Sequence, residues 1–139
     1  MRALRLISIV LGTSLATVAA AGDFDGAVPL SCKVDQAEDC LPAKACVPVT
    51  RESKIEPIFG LDFAKKEIHS PYRTAILPVQ YTTTKKDSIV LQGVDPDGML
   101  AWTALVDRKT GALTVTIGDS KGAYVAFGQC KVAAAPAKK

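Results

Sequence analysis

Apolar and polar positions alternate with period two through much of the second half of the chain. Phe59, Leu61 and Phe63 alternate with Gly60 and Asp62. Leu100, Trp102, Ala104 and Val106 alternate with Ala101 and Thr103, and Leu113, Val115 and Ile117 with Thr114, Thr116 and Gly118. Such alternation places successive side chains on opposite faces of a strand and buries one face. Residues 88–94 (SIVLQGV) form a short β-branched run, and Val125 and Phe127 lead into Cys130. Ala75, Leu77, Val79 and Tyr81 predict one more strand with a shared face, which Pro78 moves towards a sheet edge because it cannot donate to a ladder. After residue 21 no stretch carries helical periodicity.

Turn residues separate these runs. Asp95-Pro96-Asp97-Gly98 links residues 88–94 to 99–107, and Asp119-Ser120-Lys121-Gly122 precedes the last run. Asp107-Arg108-Lys109-Thr110-Gly111 predicts a type I turn closed by a left-handed glycine, a G1 bulge, since a side chain at position 111 would clash at positive φ. Three consecutive short links require antiparallel neighbours, because parallel strands need long crossovers. The expected fold is all-β: a small antiparallel meander of six or seven strands forming a barrel or a strongly curved sheet. It spans residues 55–132. Residues 22–54 contain Pro29, Pro42, Pro48 and three cysteines, and predict an irregular, disulfide-bound segment of the same domain. Residues 133–139 lack a core-forming pattern and predict a disordered tail.

Residues 1–21 have a different character. Arg2 and Arg5 precede the uncharged stretch Leu6–Ala16, followed by the small-residue run Thr17-Val18-Ala19-Ala20-Ala21. These are the three parts of a cleavable secretory signal, with the cut near Ala21. The stretch falls short of the roughly 20 apolar residues of a membrane-spanning helix. The first cysteine, Cys32, lies too far from the cut for lipidation. The expected product is periplasmic or secreted, with no membrane span.

That compartment changes the meaning of the four cysteines, Cys32, Cys40, Cys46 and Cys130. An even number in a small exported chain predicts two disulfides. Of three possible pairings, the expectation is Cys40–Cys46 closing a small loop and Cys32–Cys130 tying the two ends of the domain. A loop of about 100 residues removes the most chain entropy, up to ~4.7 kcal/mol. Zinc would need paired short spacings that these cysteines lack.

Loss of Arg2 and Arg5 with the signal lowers the formal charge from +3 to +1. No basic stripe with interleaved aromatics is present, so nucleic acid is not an expected partner. The pairs Lys65-Lys66, Lys85-Lys86 and Arg108-Lys109 read as solvated turn residues. The single histidine, His69, reads as a loop residue with no nucleophile elbow to serve. Asp95-x-Asp97-Gly98 and Asp23-x-Asp25-Gly26 each offer two carboxylates in a turn, but lack the further ligands of a calcium loop. No metal and no cofactor is expected. Trp102 reads as a core residue, and Tyr72, Tyr81 and Tyr124 are open to either a core or a binding role. If the sheet encloses a pocket, the candidate lining residues are Phe59, Leu61, Trp102 and Tyr124.

A wider pattern joins these features. Phe24-Asp25-Gly26-Ala27, Leu30-x-Cys32, Cys40, Cys46, Leu91-Gln92-Gly93, Trp102, Val106-Asp107-x-x-Thr110-Gly111-x-Leu113 and Phe127-Gly128-x-Cys130 together resemble the small exported proteins of unassigned function found in alphaproteobacteria. The resemblance implies export, the end-to-end disulfide and a Gram-negative periplasm, and it implies no activity. The expected architecture is also similar to periplasmic lysozyme inhibitors of the membrane-bound C-type class, small barrels with a disulfide joining first and last strands. Their Ser-Gly-x-x-Tyr motif has only Ser70-Pro71-Tyr72-Arg73 as its echo here. The functional expectation is a monomeric, non-enzymatic binding or protein-interaction module acting through the Cys40–Cys46 loop and the turns at 95–98 and 107–111. A carrier of a small apolar ligand and a lysozyme-inhibitor-like protein are the alternatives.

Overall fold

The computed structural model describes residues 24–49, 57–70, 76–97 and 99–134. The expected signal (1–21), Asp23, Pro71-Tyr72-Arg73, Ala75, Gly98 and positions 135–139 of the expected tail lie outside the described residues.

The described residues form one antiparallel sheet of ten strands: β1 (Leu30–Cys40), β2 (Val47–Pro48), β3 (Ile58–Asp62), β4 (Glu67–His69), β5 (Ile76–Pro78), β6 (Tyr81–Thr84), β7 (Ser88–Val94), β8 (Ala101–Asp107), β9 (Ala112–Gly118) and β10 (Ala123–Val132). Neighbours follow the order β5-β4-β3-β1-β10-β9-β8-β7-β6, with β2 paired to β1 off this path. The meander β7–β10 is the one expected from its three short links. The inward positions close into one core: Leu30, Cys32 and Val34 of β1, Phe59 and Leu61 of β3, Ile89 and Leu91 of β7, Trp102 and Val106 of β8, and Leu113 and Val115 of β9 are all buried. Each such large side chain stabilises the fold by about 1.5–3 kcal/mol.

Residues 30–40 correct the expectation of an irregular segment. They form β1, the longest strand, at the centre of the sheet against both β10 and β3. The alternation Leu30, Cys32, Val34 resumes at Ala37, one residue out of phase, because the register with β10 shifts between Val34 and Gln36. This bulge bends the strand and lets its two halves serve different neighbours. Leu30–Lys33 pair with β3, whereas Glu38 and Asp39 pair with β2. Opposite the bulge, a Cβ at Gly128 would lie 2.1 Å from the Lys33 carbonyl oxygen, an approach only glycine permits.

Residues 75–81 also differ from expectation. The single predicted strand is two strands at opposite ends of the sheet path: β5 pairs with β4, and β6 with β7. Two residues make the transfer. The Val79 N–H donates to the Lys66 carbonyl at 2.8 Å, and the Gln80 N–H to the Gln92 carbonyl at 2.9 Å. Leu77 and Val79 stay in the core, but Tyr81 falls out of phase and is exposed. The sheet is therefore curved strongly enough for two residues to bridge its ends.

Both disulfides form as expected. Cys32–Cys130 joins register partners on β1 and β10 inside the core, and Cys40–Cys46 closes the loop after β1. At the β8–β9 turn Gly111 takes the left-handed conformation, φ 73°. The turn is nonetheless a four-residue loop and not a G1 bulge. The Gly111 N–H donates to the Asp107 carbonyl, and the ladder runs unshifted to Val106↔Leu113. The first residue of the expected tail, Ala133, still donates to the Pro29 carbonyl at 2.9 Å.

Candidate functional site

The antiparallel strands gather their links at two ends. At one end lie the β3–β4 turn (63–66), the β6–β7 turn (85–87), the β8–β9 turn (108–111) and the N-terminal segment from Phe24. At the other lie the disulfide loop (41–46), the β7–β8 link (95–100) and the β9–β10 turn (119–122).

The disulfide end holds a surface cleft of about 260 Å³, walled by Asp39 at the end of β1, Leu41 of the loop, Leu100, Ile117–Asp119 and Lys121–Tyr124. Several local features build it. The loop turns through Leu41-Pro42-Ala43-Lys44, where the Lys44 N–H donates to the Leu41 carbonyl at 3.2 Å. Pro42 fixes a negative φ and Ala43 has φ 58°, which makes this a type II turn with alanine at the position that favours glycine. The Cys40–Cys46 bond holds this turn against the sheet and leaves Leu41 45% exposed. On the facing wall, the Asp119 carboxylate accepts the N–H groups of Lys121 (2.7 Å) and Gly122 (3.0 Å), which fixes the β9–β10 turn. Gly122 lets that turn approach the loop: a Cβ there would sit 2.7 Å from the Cys40 carbonyl oxygen and 3.2 Å from Leu41 Cδ2. The floor is apolar, from Leu100, Ile117 and the half-buried Tyr124 ring. The cleft thus presents an apolar base with two carboxylates and one ammonium, Lys121, around it. Its lining contains neither a histidine nor a serine, and its polar groups suit binding by charge and hydrogen bond.

The four candidate pocket residues do not act together. Phe59, Leu61 and Trp102 do meet, with Ile68, Leu77, Val115 and Ile117, but the space among them is only about 10 Å³. That is room for at most a single water. These three side chains pack the interior and do not line a ligand chamber. Tyr124 lies away from them at the cleft. A cross-strand row, Trp102↔Ile117↔Tyr124, connects it to Trp102. Trp102 Nε1 is buried without an acceptor among the described residues.

The remaining candidates disperse. His69 is the last residue of β4, not a loop residue; it is exposed, with Nε2 3.7 Å from the Glu67 carboxylate. Asp95 is buried and accepts the Met99 N–H, while the Asp25 carboxylate accepts the Ala27 N–H at 2.7 Å, so both serve their turns. Among the described residues no group of three or more histidine, cysteine or acidic side chains is placed to hold a metal ion. No helix among them is long and apolar enough to cross a membrane.

The dibasic pairs, read separately as solvated turn residues, share the end opposite the cleft. The Arg108 guanidinium donates to the carbonyls of Phe24, Lys85 and Lys86 and ties that end together. Lys109 pairs with Asp87 at 2.9 Å and Lys65 with Asp62 at 3.3 Å. The sequence signal for the cleft itself was the loop Cys40–Cys46; Asp39, Leu100 and Ile117 carried none, because only the fold brings them to it. No protein-family model, no curated protein and no solved structure matches this chain.

Proposed function

We propose that the chain is an exported, non-enzymatic binding module that engages a partner protein through its disulfide end. The observation that carries this reading is the cleft between the Cys40–Cys46 loop and the β9–β10 turn, set on a sheet whose space among Phe59, Leu61 and Trp102 is only about 10 Å³. A rigid loop presented by a packed scaffold is a common way for small domains to recognise partners. Export is supported by the tripartite character of residues 1–21, by the resemblance to small exported alphaproteobacterial proteins, and by two disulfides, which persist in oxidising compartments.

Site-specific photocrosslinking tests the reading. A photoreactive residue at position 41 is expected to give a discrete adduct in the exported fraction, whereas one at Thr114 on the outer face of β9 gives none. Equal labelling from both positions would remove the disulfide end as the binding surface. The lysozyme-inhibitor reading has one observation in its favour, the disulfide joining β1 to β10. A direct lysozyme inhibition assay decides it.

A further inference from the structure

We infer that the occupant of the cleft is a polypeptide segment in which a bulky apolar side chain lies next to a basic one. The inference rests on the binding reading above and names the chemistry of the partner.

Its apolar part follows from the floor and rim. Leu100, Ile117 and Tyr124 form the base, and Leu41 stands 45% exposed at the wall. Val47, the register partner of Asp39, is 58% exposed, and Met99, beside Leu100, is 67% exposed. Exposed apolar side chains on the elements that adjoin the cleft mark a surface that gains by being covered. At about 260 Å³ the cleft suits one side chain and its flanking backbone, not an enclosed metabolite.

Its basic part follows from charge. Among the described residues, Asp39 and Asp119 line the cleft with Lys121, while Glu38 and Asp97 on the adjoining elements outnumber Lys44 of the disulfide loop. The opposite end carries Lys65, Lys66, Lys85, Lys86, Arg108 and Lys109 against Asp25, Asp62, Asp87 and Asp107. The charge of the described residues is therefore segregated along the strand direction. A cationic segment is drawn to the disulfide end and repelled from the other, and an acidic segment is steered away from the cleft. The type II turn and disulfide hold the loop in place before binding, so little ordering opposes association.

The test is amide chemical-shift mapping on the purified protein with both disulfides formed. Three blocked synthetic peptides are titrated: Ser-Phe-Lys-Arg-Ser, Ser-Phe-Glu-Glu-Ser and Ser-Ser-Lys-Arg-Ser. The first is expected to shift Leu41, Ile117, Lys121 and Tyr124, and to bind at least about ten-fold more tightly than either control. Binding should weaken with added salt and in Asp39→Asn, which leaves the ladder intact. Equal binding of the acidic peptide, shifts confined to the dibasic end, or no shifts up to ~5 mM peptide would each overturn the inference. Cleft shifts that depend on protein concentration alone would overturn it in favour of a second copy of this chain. A discrete adduct from position 41 alongside any of these results would leave the binding reading standing and remove only the peptide chemistry.

Discussion

Gly93 on β7 and Trp102 on β8 are register partners, and the indole lies so close over the glycine that a Cβ at 93 would be 2.6 Å from Trp102 Cζ2. The same Cβ would be 2.4 Å from the Pro78 carbonyl oxygen. Gly93 thus gives room at once to the core tryptophan and to the chain crossing between the ends of the sheet. Gly93→Ala is expected to lower stability by about 2–4 kcal/mol, because one contact is backbone and cannot swing away. Its tryptophan emission should shift towards that of an exposed indole. Urea unfolding followed by fluorescence measures both, and an unchanged midpoint would contradict this packing.

Ala43 gives a prediction of opposite sign. A non-glycine residue at φ 58° costs roughly 1 kcal/mol, and the loop tolerates it because Pro42 and the Cys40–Cys46 bond fix the turn on either side. Ala43→Gly should raise stability by about 0.5–1 kcal/mol, seen as an increased denaturation midpoint. A decrease would mean that the turn is of another type.

The two disulfides should separate under reduction. Cys32 and Cys130 are 0% and 3% exposed, whereas Cys46 lies on the exposed loop. Thiol–disulfide exchange needs access of the attacking thiolate. Dithiothreitol under native conditions is expected to free Cys40 and Cys46 first, with Cys32–Cys130 opening only as the fold is lost. Alkylation at timed intervals, followed by peptide mass analysis, reads the order. Replacing Cys32 and Cys130 together by serine should cost about 3–5 kcal/mol.

Acid should weaken the dibasic end. The Thr110 N–H beside Asp107 holds its carboxyl below the ordinary value of 3.8, helped by the Thr110 hydroxyl and the Lys109 N–H. The Lys65 N–H does the same for Asp62, assisted by the Lys65 ammonium. A carboxyl whose pKa is lower folded than unfolded stabilises the fold above the unfolded value and loses that contribution as pH falls through the folded one. Stability should therefore drop below about pH 4, and Asp107→Asn should flatten that limb. Denaturation midpoints across the acid range test this; identical limbs for the two proteins would exclude Asp107 as a contributor.

These sites show how far the sequence speaks. The meander β7–β10 was legible because each strand keeps its phase between turns with strong chemical signals. β1 was not, since the bulge after Val34 shifts the buried positions by one and the strand is rich in Asp, Glu, Gln and Cys. Leu77, Val79 and Tyr81 read as one face because alternation cannot report that Val79 and Gln80 change partners. The cleft was half visible: two cysteines six residues apart announce a loop, but nothing local says which turn packs against it. The burial of Trp102 agrees with its reading as core, while Trp102, Phe59 and Leu61 together suggest a pocket only because alternation cannot show whether the enclosed space is filled.

The hydrogen bond from Ala133 to Pro29 has a practical consequence. It continues the ladder Leu30↔Val132 and brings residues 29 and 133 side by side on adjacent strands. In connectivity the domain is nearly a ring, already riveted at Cys32–Cys130. A linker from residue 133 back to Phe24 would close it without losing the Phe24–Arg108 tie, and the exposed β6–β7 turn at Lys85-Lys86-Asp87 offers a place to open it again. A circular permutant cut there would keep every strand neighbour it has now and leave the cleft at the far end untouched.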